Sequence, residues 1–190
     1  IKVTDSSSPS LTVEQSYTLI VEKGFYESVI TIASTLAAGE TSVYVDGKLV
    51  AKLGGGQTTR QSFALGAKAV ISVDQVVSHP TRTDVRFVAD TTETTVNESY
   101  SDFTFTYHPE YFINLITDPP QITSLTGSNW YKEGSPLRST APAQVEEEAG
   151  VQYRFSYWLL PNGEKYTDED LSWMVSAPGK AIATYDTYYQ

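Results

Sequence analysis

Residues 151–158 read Val-Gln-Tyr-Arg-Phe-Ser-Tyr-Trp, in which aromatic and polar side chains alternate from Gln152 to Tyr157. Successive side chains of a β-strand point to opposite faces, so Tyr153, Phe155 and Tyr157 are predicted to share one face and Trp158 to lie on the other. An aromatic stripe of this kind belongs to a protein core more often than to a sugar-binding platform. The stretch therefore predicts a strand of a hydrophobic core.

The composition extends this interpretation to the whole chain. The 190 residues include 13 Tyr, 7 Phe and 3 Trp, and aromatic side chains favour pleated sheets. Asp46-Gly47 lies between alternating runs and predicts a two-residue hairpin, because this pair tolerates the positive φ angles of a type I′ turn. Residues 54–56, all glycine, are interpreted as a flexible hairpin turn. Only residues 146–149 and 167–170 are predicted to form helical turns.

The pattern occurs twice in the chain. Phe63–Gly66 resembles Tyr131–Gly134, and Arg86-Phe87 resembles Arg154-Phe155, in both cases at a separation of 68 residues. Collinear matches at a constant separation indicate a duplicated structural unit. The alternative is chance similarity between two β-rich stretches.

The duplication predicts an all-β fold of two consecutive small Ig-like β-sandwich domains. We place an N-terminal strand and linker at 1–16, the first module at 17–109 and the second at 110–190. The first module is expected to open on a strand at 17–22, and a turn at His108-Pro109 is expected to join the modules.

Both ends of the sequence carry further expectations. Ile1–Thr4 reads as a short strand that closes a preceding module, or one that adds to the sheet of a neighbouring subunit. Tyr188-Tyr189 matches the start of a strand that opens a unit, so we expect the polypeptide to continue.

Three motifs of the second copy, at 127–134, 150–158 and 183–189, carry a family resemblance. In this order they resemble the InlB-type B-repeat modules that occur in tandem in secreted and cell-surface proteins of archaea and bacteria. These include S-layer-like proteins and thermopsin-associated repeats. The resemblance is clearest over 111–190 and implies a B-repeat-like structural module at an extracellular location, without catalytic residues.

Charge and hydropathy exclude two classes of partner. The chain has 13 basic and 23 acidic side chains, a net charge of −10, which disfavours nucleic acids and anionic membrane surfaces. No apolar run approaches the roughly 20 residues of a transmembrane helix, so no membrane insertion is expected in this segment. The absence of cysteine excludes disulfides and thiolate metal sites.

Residues that could carry chemistry are few. His79 and His108 each precede a proline and are predicted to be turn residues rather than bases or ligands. No Gly-x-Ser-x-Gly motif or phosphate loop is present, so we predict that the chain is not an enzyme and has no cofactor-binding residues.

Three candidate sites remain. Asp168, Glu169 and Asp170 supply carboxylates of the kind that bind Ca²⁺, but they do not match the EF-hand spacing, which favours a solvated acidic loop over a metal site. The acidic run 146–148 is a weaker candidate. Asn97-Glu98-Ser99 is a glycosylation sequon, which predicts a modified Asn97 if the protein is archaeal or eukaryotic; the alternative is a chance occurrence of the motif.

We therefore expect a non-catalytic structural or adhesive module pair of an extracellular cell-surface repeat protein. It would act as a rigid spacer, surface-layer or filament building block, with further repeats, neighbouring subunits or cell-surface glycans as partners. The alternative is a carbohydrate-binding or accessory module of a secreted hydrolase, stacking exposed aromatic rings on sugars. The exposure of Trp130, Trp158 and Trp173 is expected to distinguish the two.

Overall fold

The computed structural model describes residues 2–4, 12–14, 24–97, 102–147 and 150–189. Strands account for 62% of the chain, and these ranges contain no helix, which confirms the all-β prediction. Among the described residues there is accordingly no helix long enough and apolar enough to cross a membrane. The two predicted helical turns are wrong where they are described: Glu146 lies in a strand, and 167–169 form a bend that leads into another.

The strands of the first half are β1 (Lys2–Thr4), β2 (Thr12–Glu14), β3 (Phe25–Ile32), β4 (Thr41–Val45), β5 (Lys48–Leu53), β6 (Thr58–Ala64), β7 (Lys68–Val73), β8 (Val76–Ser78), β9 (Val85–Ala89), β10 (Glu93–Asn97) and β11 (Phe103–Phe105). Those that follow are β12 (Tyr107–Asp118), β13 (Asn129–Lys132), β14 (Pro136–Thr140), β15 (Gln144–Glu147), β16 (Val151–Leu159), β17 (Lys165–Tyr166), β18 (Asp170–Met174) and β19 (Gly179–Tyr189).

These strands form five sheets. The largest has the order β15-β16-β19-β12-β9-β8, with β13 beside β12 and β17 beside β16. The others have the orders β10-β7-β4-β5, β11-β3-β6, β14-β18 and β1-β2. The last pairs Lys2–Thr4 with Thr12–Glu14 inside the region predicted as strand and linker, whereas the strand predicted at 17–22 lies outside the described residues.

Two clusters of buried side chains lie on either side of Tyr111. The first includes Ile30 and Ile71, and the second includes Leu137 and Trp158, all at 0% exposure. Tyr111 itself is half-buried and packs against both clusters. The buried apolar surface of the chain is therefore concentrated in two cores that meet at β12.

The Asp46-Gly47 hairpin is confirmed. These residues have φ angles of 50° and 76°, and the turn joins β4 to β5 with Val45 opposite Lys48. The Asp46 carboxylate also accepts a hydrogen bond from the Val70 amide at 2.8 Å. The hairpin is thus tied to β7, beside which β4 runs.

A β-bulge corrects the predicted faces of residues 151–158. The register of β16 against β19 shifts between Phe155 and Tyr157, so an extra residue reverses the alternation at that point. Tyr153 and Phe155 pack against the second core, but Trp158 takes the next inward position and Tyr157 turns away beneath Lys165. The predicted common face of Tyr153, Phe155 and Tyr157 is therefore wrong beyond the bulge. Residues 122–125, between β12 and β13, form a loop.

The two halves repeat the same strand pairings. Six strands of the first half have counterparts in the second: in order, β3, β6, β7, β8, β9 and β10 correspond to β12, β13, β14, β15, β16 and β18. The last strand of the second half, β19, corresponds to β11 together with the start of β12. The registers coincide: Tyr26 pairs with Phe63 as Tyr111 pairs with Tyr131.

Further registers agree with this correspondence and correct the alignment. Val77 faces Phe87 as Val145 faces Tyr153, so Phe87 corresponds to Tyr153 and not to Phe155. The hairpin β4–β5 has no counterpart in the described part of the second half. Preserved register at several independent pairs is difficult to obtain by chance, because a slip of one residue would move every side chain to the other face.

The absence of a hairpin equivalent to β4–β5 coincides with an unpaired tyrosine hydroxyl in the described part of the second core. Tyr107 and Tyr185 occupy corresponding buried positions, and the Tyr107 hydroxyl donates to the Asp74 carbonyl and contacts Thr41, which belongs to β4. Within the described residues the Tyr185 hydroxyl has no partner. Burial, with a contribution from the Glu169 charge, raises the pKa of Tyr185 to about 12.

Removing these two hydroxyls is expected to have unequal effects. Tyr107→Phe should destabilise the chain by about 1–2 kcal/mol, because it leaves buried acceptors unpaired, whereas Tyr185→Phe should change stability by less than about 0.5 kcal/mol or increase it. Urea unfolding followed by circular dichroism measures both variants. Equal losses would show that Tyr185 has a hydrogen-bond partner of similar strength.

Candidate functional site

Strand β12 belongs to both halves of the chain. Tyr107–Tyr111 pairs antiparallel with β9 of the first half, whereas Ile113–Asp118 pairs in parallel with β19 of the second. The predicted turn at His108-Pro109 is wrong, because these residues lie inside this continuous strand.

Proline at position 109 is compatible with the strand for a specific reason. Its carbonyl accepts a hydrogen bond from the Glu133 amide at 3.1 Å, just beyond the last paired residue of β13. The amide and carbonyl of one strand residue point to the same side, so the absent N–H removes no hydrogen bond of the β9–β12 ladder. The strand therefore passes through His108-Pro109 without a break.

One face of the sheet at this point carries an ordered set of polar and aromatic side chains, which we call the joint face. Its members are Arg86, Asp90, His108, Glu110, Phe112, Trp130 and Lys132. They come from β9, the residue after β9, β12 and β13, so the face spans both halves.

Arg86 lies at the centre of the joint face. Its Nε donates to Glu110 Oε2 at 2.7 Å, and a terminal nitrogen lies 2.6 Å from the same oxygen. The guanidinium carbon lies 4.4 Å from the centre of the Trp130 ring, and Phe112 meets the indole edge-on at 5.5 Å. A partly buried cation in contact with both a carboxylate and an indole is stabilised more strongly than an exposed ion pair.

Asp90 and His108 form a second group on the joint face. His108 Nδ1 lies 2.7 Å from Asp90 Oδ1, and the Thr106 hydroxyl donates to Asp90 Oδ2 at 2.8 Å. These hydrogen bonds, first from Thr106 and then from His108, lower the pKa of Asp90. Lys132 approaches the same carboxylate at 4.0 Å from the second half.

A shallow hollow of about 340 Å³ lies beside the joint face. Its walls include Trp130, His79, Arg82 and Arg86. Arg82 is paired with Asp84 at 3.1 Å and Arg86 with Glu110, so both cations are neutralised by neighbouring carboxylates. The hollow therefore presents no uncompensated charge from its two arginines.

The three tryptophans differ in exposure, which bears on the carbohydrate-binding alternative. Trp158 and Trp173 are buried, at 0% and 8% exposure, so neither can stack on a sugar. Trp130 is half-buried, and Arg86 covers one face of its ring. Binding of sugars by other aromatic residues stays a prediction.

Of the candidate calcium ligands, Asp168 and Glu169 lie in an exposed bend before β18, and Asp170 is the exposed first residue of that strand. Asp168 accepts a hydrogen bond from the Asp170 amide at 3.1 Å, and Asp170 accepts one from the Thr140 hydroxyl at 2.6 Å. The Glu169 carbonyl accepts hydrogen bonds from the Ala141 amide and the Trp158 indole. Among the described residues no group of three or more acidic or histidine side chains is arranged to hold a metal ion. The Ca²⁺ site stays a prediction.

Asn97 and His79 are not members of the joint face, although His79 lines the hollow beside it. Asn97 is the last residue of β10, and the rest of its sequon lies outside the described residues. His79 is in a loop, as predicted, where its Nδ1 accepts a hydrogen bond from the Thr81 amide at 3.2 Å. The joint face itself was missed by the sequence analysis. The alternation of polar and aromatic residues at 108, 110 and 112 was a usable signal.

Comparison with protein-family models, with curated proteins and with solved structures finds no match to this chain. The resemblance to B-repeat modules is therefore untested. A function for this chain has to be argued from its own geometry, in which the shared strand β12 is the central feature.

Proposed function

We propose that this chain is a non-catalytic spacer, made of two β-sandwich units in tandem, within an extracellular cell-surface repeat protein. The observation that carries the proposal is the continuity of β12, whose first half pairs with β9 and whose second half pairs with β19. A strand hydrogen-bonded along its length in two units cannot flex as a linker does, because bending it would break ladder hydrogen bonds. The extracellular setting rests on the resemblance of residues 111–190 to B-repeat modules.

The distribution of buried side chains between two cores supports the two-unit description. Each half has its own core, and each core receives residues from more than one sheet. The second core lies between the large sheet, which supplies Ala181 and Ala183, and the β14–β18 pair, which supplies Leu137 and Leu171. Burial of apolar side chains from both sheets supports a sandwich arrangement for the second unit.

The joint face supports the rigidity of the arrangement. Arg86 of the first unit contacts Trp130 of the second and Glu110 of the shared strand, while the Phe112 amide donates to the Asp84 carbonyl at 2.9 Å. These contacts resist rotation about the strand axis, which the strand alone would oppose only weakly. A spacer with this joint would transmit a fixed distance and orientation.

The distance distribution between two spin labels tests this function. The chain has no cysteine, so Lys52→Cys in β5 and Ser172→Cys in β18 can be labelled specifically; both positions are exposed. We expect one narrow distribution in the otherwise unchanged chain. Inserting Gly-Ser-Gly-Ser between Tyr111 and Phe112 should broaden it by roughly 10 Å, the span of a flexible four-residue linker.

The control places the same four residues between Gly163 and Glu164, in an exposed loop of the second unit, and should leave the distribution narrow. Circular dichroism would verify that both insertion variants retain their strands. A broad distribution in the chain without insertion would refute the spacer function.

A further inference from the structure

The last five residues of β19, Tyr185–Tyr189, pair with a neighbouring strand of the described chain along one edge only. Strand β16 pairs with residues 182–189 along one edge, whereas β12, on the other edge, pairs only as far as Thr184. In the described part of the chain, no strand pairs with Tyr185–Tyr189 on that second edge. An open edge of this kind is a template for pairing with another strand.

The corresponding segment of the first unit shows what such an edge can hold. Tyr107–Tyr111 pairs with β9 as Tyr185–Tyr189 pairs with β16. Beyond Tyr111 the strand continues as the first strand of the second unit, and β13 covers its other edge from Glu110 onwards. Tyr189 corresponds to Tyr111, which is half-buried between the two cores.

Exposure differs sharply between these equivalent positions. Tyr188 and Tyr189 are 45% and 83% exposed, whereas Tyr111, the equivalent of Tyr189, is half-buried. The Arg154 guanidinium lies 4.7 Å from the Tyr188 ring centre, and its Nε donates to Gln152 at 2.8 Å. The end of the second unit therefore presents a preformed aromatic and basic face at the place where the first unit meets its neighbour.

We propose that Tyr185–Tyr189 is a docking strand for a further unit of this same fold, which it joins by continuing as that unit's first strand. This inference rests on the proposed spacer function and extends it to a surface and a partner. The register is set by the internal joint: the residue after Tyr189 takes the position of Phe112. A second strand like β13 then covers the open edge, with its Trp130 equivalent beside Gln152 and Tyr188.

A three-unit chain tests the proposal. Residues 112–189 are appended directly after Tyr189 of the full chain, and Ser172→Cys is introduced in both the original and the appended copy. We expect a single narrow distance distribution between the two labels, as narrow as that for Lys52→Cys and Ser172→Cys across the internal joint. Tyr188 and Tyr189 of the original copy, which precede the appended unit, should also become protected from iodination.

The matched control deletes one residue, so that Ile113 directly follows Tyr189. A slip of one residue turns the appended strand's core side chains outward, so the distribution should broaden and the two tyrosines should remain reactive. Equal behaviour of the two fusions, or failure of the in-register unit to fold, would overturn the proposal. A narrow internal-joint distribution beside a broad one in the in-register fusion would refute the docking strand alone and leave the spacer function intact.

Discussion

Replacing Trp158 with alanine is expected to cost about 3–5 kcal/mol of unfolding free energy, the range for removing a large aromatic side chain from a core. Trp158 is fully buried in the second core, where Phe155 contacts it at a ring distance of 6.2 Å. Its indole N–H donates to the Glu169 carbonyl at 3.2 Å, so the variant also loses a hydrogen bond. Because small domains are stable by only about 5–15 kcal/mol, much of the margin would disappear.

Trp130→Ala is the matched control. Trp130 is half-buried and its main polar contact is the Arg86 guanidinium, an interaction worth about 0.5–1 kcal/mol at a site of this exposure. Guanidinium unfolding followed by circular dichroism compares the two variants without relying on tryptophan fluorescence. If Trp130→Ala destabilised the chain as much as Trp158→Ala, the placement of the second core would be wrong.

Gly55→Ala is expected to destabilise the chain by about 3 kcal/mol, at the upper end of overpacking effects. A Cβ at this position would overlap the Leu36 carbonyl oxygen and would approach the Ala33 oxygen to 3.2 Å. Both neighbours are backbone atoms. Their loop is held in place by the Gly56 amide, which donates to the Ile32 carbonyl at 2.8 Å. The loop therefore cannot move aside without losing other contacts.

The adjacent glycine provides the comparison for this prediction. Gly56 has a φ of 79°, and no atom lies within 4 Å of the position that a Cβ would take there. Gly56→Ala should therefore cost only the left-handed backbone strain of about 1–2 kcal/mol. Thermal unfolding of both variants separates steric overlap from strain. A loss for Gly55→Ala no larger than that for Gly56→Ala would contradict the close approach of the two loops.

Local features of this chain follow directly from its residues. Alternation of apolar and polar side chains identified the class of fold, and Asp46-Gly47 identified its hairpin, because both depend only on neighbours in sequence. Duplication was visible from collinear motifs, yet its alignment was wrong by two residues at Phe87. A bulge and a shorter loop alter spacing without altering the motifs.

The alternation at 108, 110 and 112 indicates one side of the joint face, but the contacts that complete this face join residues that are distant in sequence. The sequence predicts a turn at His108-Pro109 because proline usually interrupts strands. In the structure the Pro109 nitrogen faces away from β9, where no ladder hydrogen bond is needed. Arg86, Glu110 and Trp130 are far apart in sequence and meet only because β9, β12 and β13 lie side by side.

Strand periodicity and turn chemistry act over a few residues, so the sequence predicts an all-β chain and indicates a duplicated pattern. Three features follow only from contacts between distant segments: one strand serves both halves, Gly55 permits a close approach of two loops, and Trp158 reaches the core past a bulge. Each of these depends on which strands become neighbours. That choice is made by burial and register over the whole chain rather than by any one segment.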